Sequence, residues 1–149
     1  VLENVMVGSY LRESRPGRAR ELAQEVLETV GLGELAERPA ANLTVASKKR
    51  LELARALATQ PRLLLLDEVM SGLTPVETAE AVELVRKLNR SGLTILLVEH
   101  VMEVVMPLSR KLVVLDHGVK IAEGTPAEVS RDRAVIEAYL GDQHAAAGG

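Results

Sequence analysis

Two patterns of hydrophobic and polar residues follow each other along this chain of 149 residues. Up to about residue 60, apolar residues recur every three or four positions, as in Leu22, Val26 and Val30, and this spacing predicts amphipathic helices. From residue 62, short unbroken apolar runs alternate with helical patterns. Such runs are typical of strands buried on both faces of a parallel sheet. The pattern therefore predicts a helical first part and an α/β second part.

Turn and capping residues predict where the individual elements begin and end. Pro16-Gly17 breaks the chain before a helix that ends at Gly31 and Gly33, and Thr74-Pro75 begins a helix that ends at Ser91-Gly92. Other helices are predicted over residues 47–59 and 101–108, and from Pro126 and Asp132. Strands are predicted at residues 63–66, 93–98, 112–115 and 119–122. The last two flank Asp116-His117-Gly118, a strong hairpin signal.

These elements predict an α/β fold whose strands are mostly parallel, with right-handed crossovers. The hairpin near the end is expected to join the same sheet and make it mixed. The predicted organisation is a helical subdomain over residues 1–60, an α/β part over residues 61–142 and a disordered tail over residues 143–149.

Composition excludes several classes of site. The charges nearly balance, with 18 basic and 21 acidic residues, and the only aromatic residues are two tyrosines, so a nucleic-acid surface is not expected. The absence of cysteine excludes disulfides, thiolate zinc sites and a cysteine nucleophile. No apolar stretch reaches the roughly 18 residues of a membrane span. The chain opens at Val1 within an apolar segment rather than at a methionine, which suggests a piece of a longer protein.

The strongest chemical signal is the strand Leu63–Leu66, which ends in the adjacent carboxylates Asp67 and Glu68. Ligands of open α/β sheets bind at the carboxyl ends of strands. An aspartate there can hold Mg²⁺, and a glutamate beside it can polarise a water that attacks a phosphate. This is the Walker B pattern. On these six residues alone, a solvated acidic turn is an equally good interpretation.

The surrounding sequence favours the phosphate chemistry, because it resembles the ATPases of ABC transporters. Residues 43–68 read LTVASKKRLELARALATQPRLLLLDE, which resembles the signature loop and its helix leading into Walker B. Residues 69–75 then stand in the place of the D-loop, and residues 94–100 look like the strand that delivers the switch histidine. The resemblance implies the second part of a P-loop NTPase (RecA-like) ABC ATPase domain with its helical subdomain.

Further segments are similar to the ATP-binding subunits of branched-chain amino acid importers. They are Leu2–Val5, Ala122–Pro126 and Val135–Gly141. The ATPases of lipopolysaccharide export and of urea uptake are similar over the same stretches, so these remain alternatives.

The resemblance implies ATP and Mg²⁺ as cofactors and a role for each matching residue. Asp67 would bind the water shell of magnesium, Glu68 would act as general base, and His100 would contact the γ-phosphate. The signature loop, which touches ATP held by a partner subunit, would comprise Thr44, Val45, Ala46 and Ser47. The D-loop at the dimer interface would comprise Ser71, Gly72, Leu73 and Thr74.

Several histidines and arginines have simpler interpretations. His100 could merely end a strand at the surface, and His117 in the hairpin turn is expected to be structural. A solvated face, or alternatively a permease contact, is expected for Arg12, Arg15, Arg18 and Arg20.

The sequence departs from the family pattern in two ways. It contains no Gly-x-x-x-x-Gly-Lys-Ser/Thr, so this chain alone is expected to hydrolyse no ATP. It also has Leu43-Thr44-Val45-Ala46-Ser47 where Leu-Ser-Gly-Gly-Gln is usual. Valine adopts a left-handed conformation only at a cost, and side chains keep the backbone from the phosphate, so this half-site is expected to be weak. Sheet strands that lie beside Leu63–Leu66 in the family do not occur here, so exposed apolar sheet surface is expected.

The function implied by the resemblance is the energy-coupling ATPase subunit of an importer of branched-chain or other amino acids. Its partners would be a second ABC ATPase subunit, giving a heterodimer, and integral membrane permease subunits. It would lie peripherally at the cytoplasmic face of the membrane. Two alternatives from other classes are a non-catalytic module that lends its signature and D-loop to an intact ATPase, and an ABC ATPase of DNA repair or translation.

Overall fold

The computed structural model of the chain describes residues 1–138, and these form two compact units. The first unit comprises Val1–His100, and the second begins at Val101. The first unit holds both the predicted helical part and the start of the predicted α/β part. The predicted boundary between residues 60 and 61 therefore falls inside this unit, and the division into two subdomains there stays a prediction.

Three helices and two short 3₁₀ turns form the first part of the first unit. The helices are α1 (Leu2–Ser9), α2 (Pro16–Thr29) and α3 (Val45–Leu57), and the 3₁₀ turns are Gly33–Leu35 and Ala40–Asn42. Small and aliphatic side chains make the core between the helices, with Val5, Ala23 and Ala54 fully buried. At Gly8, an added Cβ would lie 2.6 Å from the carbonyl oxygen of Arg55. Helices α1 and α3 can therefore pack this closely only with glycine at that position.

The ends of α2 follow from its sequence, with one correction. Pro16 does not break the chain before the helix but occupies its first turn, where the missing N–H is not needed. At the other end, Gly31 has φ +74° and its N–H donates to Glu28, while the N–H of Leu32 donates to Leu27. This is a Schellman motif, so the predicted glycine stop is confirmed.

The arginines near α2 mostly form the solvated face that was predicted. Exposed ion pairs join Arg15 to Glu13, Arg18 to Glu21 and Arg20 to Glu37. Arg12 differs, because its guanidinium donates to the carbonyl oxygens of Thr59 and Gln60 beyond α3. Its role is to satisfy main-chain acceptors at the end of that helix.

The α/β part of the first unit contains strand β1 (Leu63–Asp67), helix α4 (Pro75–Arg90) and strand β2 (Thr94–Val98). The two strands pair in parallel without a shift, from Leu63 opposite Thr94 to Asp67 opposite Val98. This is the predicted strand–helix–strand crossover. An ion pair between Arg50 and Glu80 joins α3 to α4.

Only one face of this two-stranded sheet is covered by the described residues. Leu64 and Leu66 of β1 are buried, whereas Leu63 and Leu65 are exposed, and so is Leu96 of β2. The prediction of strands buried on both faces is therefore wrong for this chain. Helices α3 and α4 line a cavity beside Leu64 and Leu66, whereas the described residues leave Leu63, Leu65 and Leu96 more than half exposed. The exposed apolar sheet surface expected from the family pattern is present.

The second unit contains helix α5 (Met102–Leu108), strands β3 (Leu112–Asp116) and β4 (Val119–Gly124), helix α6 (Pro126–Val129) and a helical segment over residues 133–138. The strands pair antiparallel around His117 and Gly118, both at positive φ, as in a two-residue hairpin turn. The His117 ring lies 2.7 Å from Asp116, in keeping with a structural role. The core of this unit includes Leu112, Val129 and Val135.

The hairpin does not extend the parallel pair. Among residues 1–138, β1 and β2 form one two-stranded sheet, and β3 and β4 form another. The expectation of a single mixed sheet is therefore wrong for the described residues, because β3 and β4 pair only with each other and neither pairs with β1 or β2. The predictions for Tyr139–Gly141 and for the tail from Gln143 fall outside the described residues. None of the helices over residues 1–138 has the length and apolar character needed to cross a membrane.

Candidate functional site

The candidate site lies where β1 and β2 end side by side. Because the strands are parallel and in register, Asp67 and Val98 are paired neighbours, and Glu68 and His100 follow just beyond. The N–H of Glu68 donates to the carbonyl oxygen of Val98 at 3.0 Å, which extends the pairing past the last residue of β1. Residues far apart in sequence therefore meet at the carboxyl edge of the sheet, where α/β proteins bind ligands.

Glu68 and His100 form a contact at this edge. The Glu68 Oε1 atom lies 3.3 Å from His100 Nδ1. Both side chains remain open to solvent, with 55% of the Glu68 side chain and 68% of the His100 side chain exposed. A carboxylate held beside an imidazole and reachable by water can accept a proton from that water, whereas a merely solvated acidic turn needs no such partner.

The backbone of Glu68 adopts an uncommon conformation. Its φ is +45°, in the left-handed region that residues other than glycine seldom occupy. The N–H of Ser71 donates to the Glu68 carbonyl oxygen at 3.2 Å, so the chain turns sharply after the strand. Strained backbone of this kind occurs often at functional sites, where surrounding contacts keep it in place.

Asp67 is the last residue of β1 and lies on the exposed face of the sheet. Within residues 1–138, no group of three or more His, Asp or Glu side chains is close enough to hold a metal ion without other ligands. Magnesium in phosphate-transfer sites is usually held by one or two carboxylates together with water and substrate phosphates. The exposed carboxylate of Asp67 fits that mode of binding.

The chain between Glu68 and α4, residues 69–74, forms a turn that includes the predicted D-loop. Met70 is buried, at 5% exposure, whereas Ser71, Gly72 and Thr74 are exposed and Leu73 is half-buried. The Met70 N–H donates to the Glu99 carboxylate at 3.2 Å. Sequence reasoning missed Glu99. The available signal was a charged residue directly before His100, at the end of an apolar strand.

Thr74 ends this turn and begins α4 with a capping box. Its hydroxyl accepts a hydrogen bond from the Glu77 N–H, and the Glu77 carboxylate accepts from the N–H and hydroxyl of Thr74. These hydrogen bonds lower the pKa of Glu77 below its usual value. The predicted cap is confirmed, and it fixes where the turn joins the helix.

The predicted signature loop lies at the start of α3. The Thr44 hydroxyl accepts from the Ser47 N–H at 3.2 Å and contacts the Ser47 hydroxyl at 3.1 Å, so Thr44 is the N-cap. Val45 and Ala46 are the first two residues of the helix, and neither has positive φ. The expected cost of a left-handed valine is therefore wrong, because this position needs helical backbone. Val45 is 60% exposed at the start of the helix.

The structure brings some of the predicted site residues together and leaves others apart. Asp67, Glu68 and His100 share one edge, and Ser71–Thr74 follow directly. Within residues 1–138, no hydrogen bond joins Thr44–Ser47 to that group. Ala46 does share with Val69 and Met70 the lining of an apolar cavity of about 170 Å³ between α3, β1 and α4.

Family models match two parts of the chain. Residues 1–71 match the model described as ABC transporter, and residues 119–145 match the model described as branched-chain amino acid ATP-binding cassette transporter. The second match falls on the region that includes β4 and α6.

ATP-binding proteins of amino acid transporters are similar to this chain over most of its length. The high-affinity branched-chain amino acid transport ATP-binding protein LivG of Salmonella typhimurium is 46% identical over 125 residues, covering 83% of this chain and 49% of LivG. The corresponding protein BraF of Pseudomonas aeruginosa is 43% identical over 125 residues, with the same coverage of both chains. The chain thus spans about half the length of these relatives.

A solved structure supports the same assignment. An ATP-binding cassette of an ABC transporter in its ADP conformation superposes with a TM-score of 0.80 at 29% identity, over 94% of this chain and 62% of the other. The fold of this chain therefore matches part of an experimentally determined cassette.

Proposed function

This chain belongs to the ABC transporter ATP-binding family, and from that membership we propose that it is part of a subunit that hydrolyses ATP to power an importer. The observation that carries the proposal is the contact between Glu68 and His100 at the carboxyl ends of two parallel strands in register. In the proposed hydrolysis, Glu68 would take a proton from the attacking water while His100 contacts the γ-phosphate, and their proximity suits this pair of roles.

In the proposed mechanism Glu68 takes a proton from the attacking water at its carboxylate oxygen. The side chain is suited to this role because it is exposed to water while its backbone is held by hydrogen bonds to Val98 and Ser71. His100 lies 3.3 Å away and orients the carboxylate while its ring remains free to reach a phosphate oxygen. Each side chain thus keeps the other in a working position.

Asp67 is the residue proposed to hold magnesium through its water shell. It is exposed and lies next to Glu68 at the end of β1, on the face of the sheet that the described residues leave open. When bound, the ion neutralises charge on the phosphates of ATP. Asp67 itself would supply one hard oxygen acceptor and orient the metal's water ligands.

Thr44–Ser47 and Ser71–Thr74 are proposed to meet a second ABC ATPase subunit. The first segment contains Thr44, which caps the N-terminus of α3. The dipole of a helix favours negative charge at its N-terminus, so this end suits contact with a phosphate. The exposed side chain of Val45 would keep that phosphate at a distance. This supports a weak half-site, and a heterodimer in which the other half-site is stronger.

Branched-chain amino acids are the proposed cargo, because LivG and BraF are named for that transport and a family model of that description matches residues 119–145. The subunit would work with integral membrane permeases, peripherally at the cytoplasmic face of the membrane. Lipopolysaccharide and urea remain alternative cargoes.

A non-catalytic partner module is the second candidate. The observation that favours it is the absence of a Gly-x-x-x-x-Gly-Lys-Ser/Thr motif from these 149 residues. Such a module would contribute its α3 start and its residues 71–74 to an intact ATPase and would itself turn over no ATP.

One experiment separates the two candidates. The native protein that carries this sequence is purified with its transporter partners, and MgATP hydrolysis is measured for the wild type and for Glu68→Gln. Hydrolysis that falls with Glu68→Gln supports the ATPase. Hydrolysis that depends on the partner alone and is unchanged by Glu68→Gln supports the module. Uptake of labelled leucine by the reconstituted complex then tests the cargo.

A further inference from the structure

We propose that Glu99 is a positioning residue that holds the turn after Glu68 and so fixes the Glu68 carboxylate against His100. The contact that carries this inference is the hydrogen bond from the Met70 N–H to Glu99 Oε1, at 3.2 Å. Its effect on catalysis rests on the proposed ATPase function, whereas its effect on the turn does not.

The Met70 N–H needs an acceptor at this place. Met70 is only 5% exposed, and its side chain lines the apolar cavity beside β1. A buried main-chain N–H without a partner is costly, so native structures almost always supply one. Here the partner is a side chain, and it is charged, which makes the bond stronger than one to a neutral acceptor.

The turn that Glu99 holds is the one that contains the strained residue. Glu68 has φ +45°, and such backbone persists only when surrounding bonds enforce it. Two of these bonds are between main-chain groups, from Glu68 to Val98 and from Ser71 to Glu68. The bond from Met70 to Glu99 involves a side chain, so substitution can remove it and leave the other two in place.

Three successive residues at the end of β2 thus contact the turn after β1. The Val98 carbonyl oxygen accepts from the Glu68 N–H, the Glu99 carboxylate accepts from the Met70 N–H, and His100 Nδ1 lies 3.3 Å from Glu68 Oε1. Glu99 lies between the other two, so its loss releases the Met70 N–H and leaves the turn held by the main-chain bonds at Glu68 and Ser71. The distance between the Glu68 carboxylate and the His100 ring would then vary, because the turn after Glu68 could move.

This arrangement predicts a particular kinetic effect. The Glu99 carboxylate is bound to main chain and touches no reacting group, so its removal should lower kcat and leave KM for ATP nearly unchanged. The Met70 N–H needs an acceptor oxygen on a side chain long enough to reach it. Glu99→Gln keeps that oxygen, whereas Glu99→Ala removes it and Glu99→Asp shortens the side chain while keeping the charge.

The test combines amide hydrogen exchange at Met70 in the full chain with MgATP turnover by the native protein that carries this sequence. For Glu99→Ala and Glu99→Asp, exchange at Met70 should become roughly tenfold faster or more, and kcat should fall by about the same factor. Glu99→Gln should stay within about threefold of wild type in both measurements. Glu25→Ala, which removes an exposed carboxylate on α2, is the matched control and should change neither.

Two results would overturn the proposal: unchanged Met70 exchange in Glu99→Asp, or a Glu99→Gln variant as impaired as Glu99→Asp. If Glu99→Ala does not fold, comparison of Glu99→Asp with Glu99→Gln still tests the proposal. Failure of the ATPase proposal would appear differently, because wild type and Glu68→Gln would then hydrolyse ATP equally while the exchange effect at Met70 persisted.

Discussion

The Nδ1 atom of His100 lies 3.3 Å from the Oε1 atom of Glu68, although the two residues follow different strands. Their proximity depends on the parallel pairing of β1 with β2, which places both strand ends at one edge. The pair would be unremarkable in a solvated turn, but the left-handed backbone of Glu68 shows that the chain is held here in an unfavourable conformation.

The first prediction concerns Glu68 as the general base. In the native protein, Glu68→Gln keeps the shape and the main-chain bonds but cannot accept a proton, so kcat should fall roughly 10²- to 10⁴-fold. Steady-state phosphate release measures this, with Glu25→Gln as control. A loss of less than about tenfold would show that another group takes the proton.

The second prediction concerns the 149-residue chain alone, whose sequence contains no phosphate-binding Gly-x-x-x-x-Gly-Lys-Ser/Thr. It should release no phosphate from MgATP above the buffer rate. A sensitive coupled assay checks this over hours. Turnover that requires magnesium and disappears in Glu68→Gln would contradict the prediction.

The third prediction concerns the start of α3. Removing the side chains of Val45 and Ala46 with the double substitution to glycine should strengthen ATP-dependent association with the partner subunit, because the backbone can then approach the phosphate. Analytical ultracentrifugation with and without ATP measures this. Val76→Gly, at an exposed position in the first turn of α4, controls for the cost of glycine in a helix. Equal association of wild type and the double variant would argue against the side-chain obstruction.

The fourth prediction concerns the cap of α4. Thr74→Ala removes the hydroxyl that accepts the Glu77 N–H, so the free energy of unfolding should fall by about 1 kcal/mol. Thr74→Ser keeps the hydroxyl and should cost much less. Urea unfolding of the full chain, followed by far-UV circular dichroism, compares the three proteins. Equal stability of the Ala and Ser variants would mean that the hydroxyl contributes nothing.

The fifth prediction concerns the pH dependence of the hairpin. Ion pairs with Lys111 and Lys120 lower the pKa of Glu123 from 4.5 to about 2. The pKa is lower in the folded state, so the ionised carboxylate stabilises the hairpin above about pH 4.5, and this stabilisation is lost as the pH falls toward 2. Thermal unfolding at pH 6, 4 and 2.5 should therefore show a smaller loss of stability on acidification for Glu123→Gln. Because the pair is exposed, high salt should reduce the difference.

Much of the fold could be predicted from the sequence because local signals and burial agree there. The glycine at position 31 ends α2, Thr74 caps α4, and the apolar runs mark β1 and β2. Helix and strand periodicity report which side chains face a core, and cap residues report where main-chain groups need partners.

The parts that sequence reasoning missed depend on three-dimensional contacts. The position of Glu99 directly before His100 was a signal, but the sequence does not show that its carboxylate reaches the Met70 N–H, because that bond joins two separate loops. The helical backbone of Val45 was also missed, because the family glycines suggested a left-handed conformation that the helix start does not need. Burial of both sheet faces was expected from apolar runs alone, but coverage depends on which elements are present to pack there.

The unshifted register of β1 and β2 limits where this chain can gain or lose residues. Side chains alternate between the two faces of a strand, so one residue inserted into either strand would reverse every side chain that follows it in that strand. Leu64 and Leu66 would leave the covered face, and Glu68 would no longer lie opposite the residues that follow Val98. Length changes are therefore tolerable only in the turns, for example around Ser91-Gly92 before β2, and a deletion inside either strand should remove the site as well as the fold.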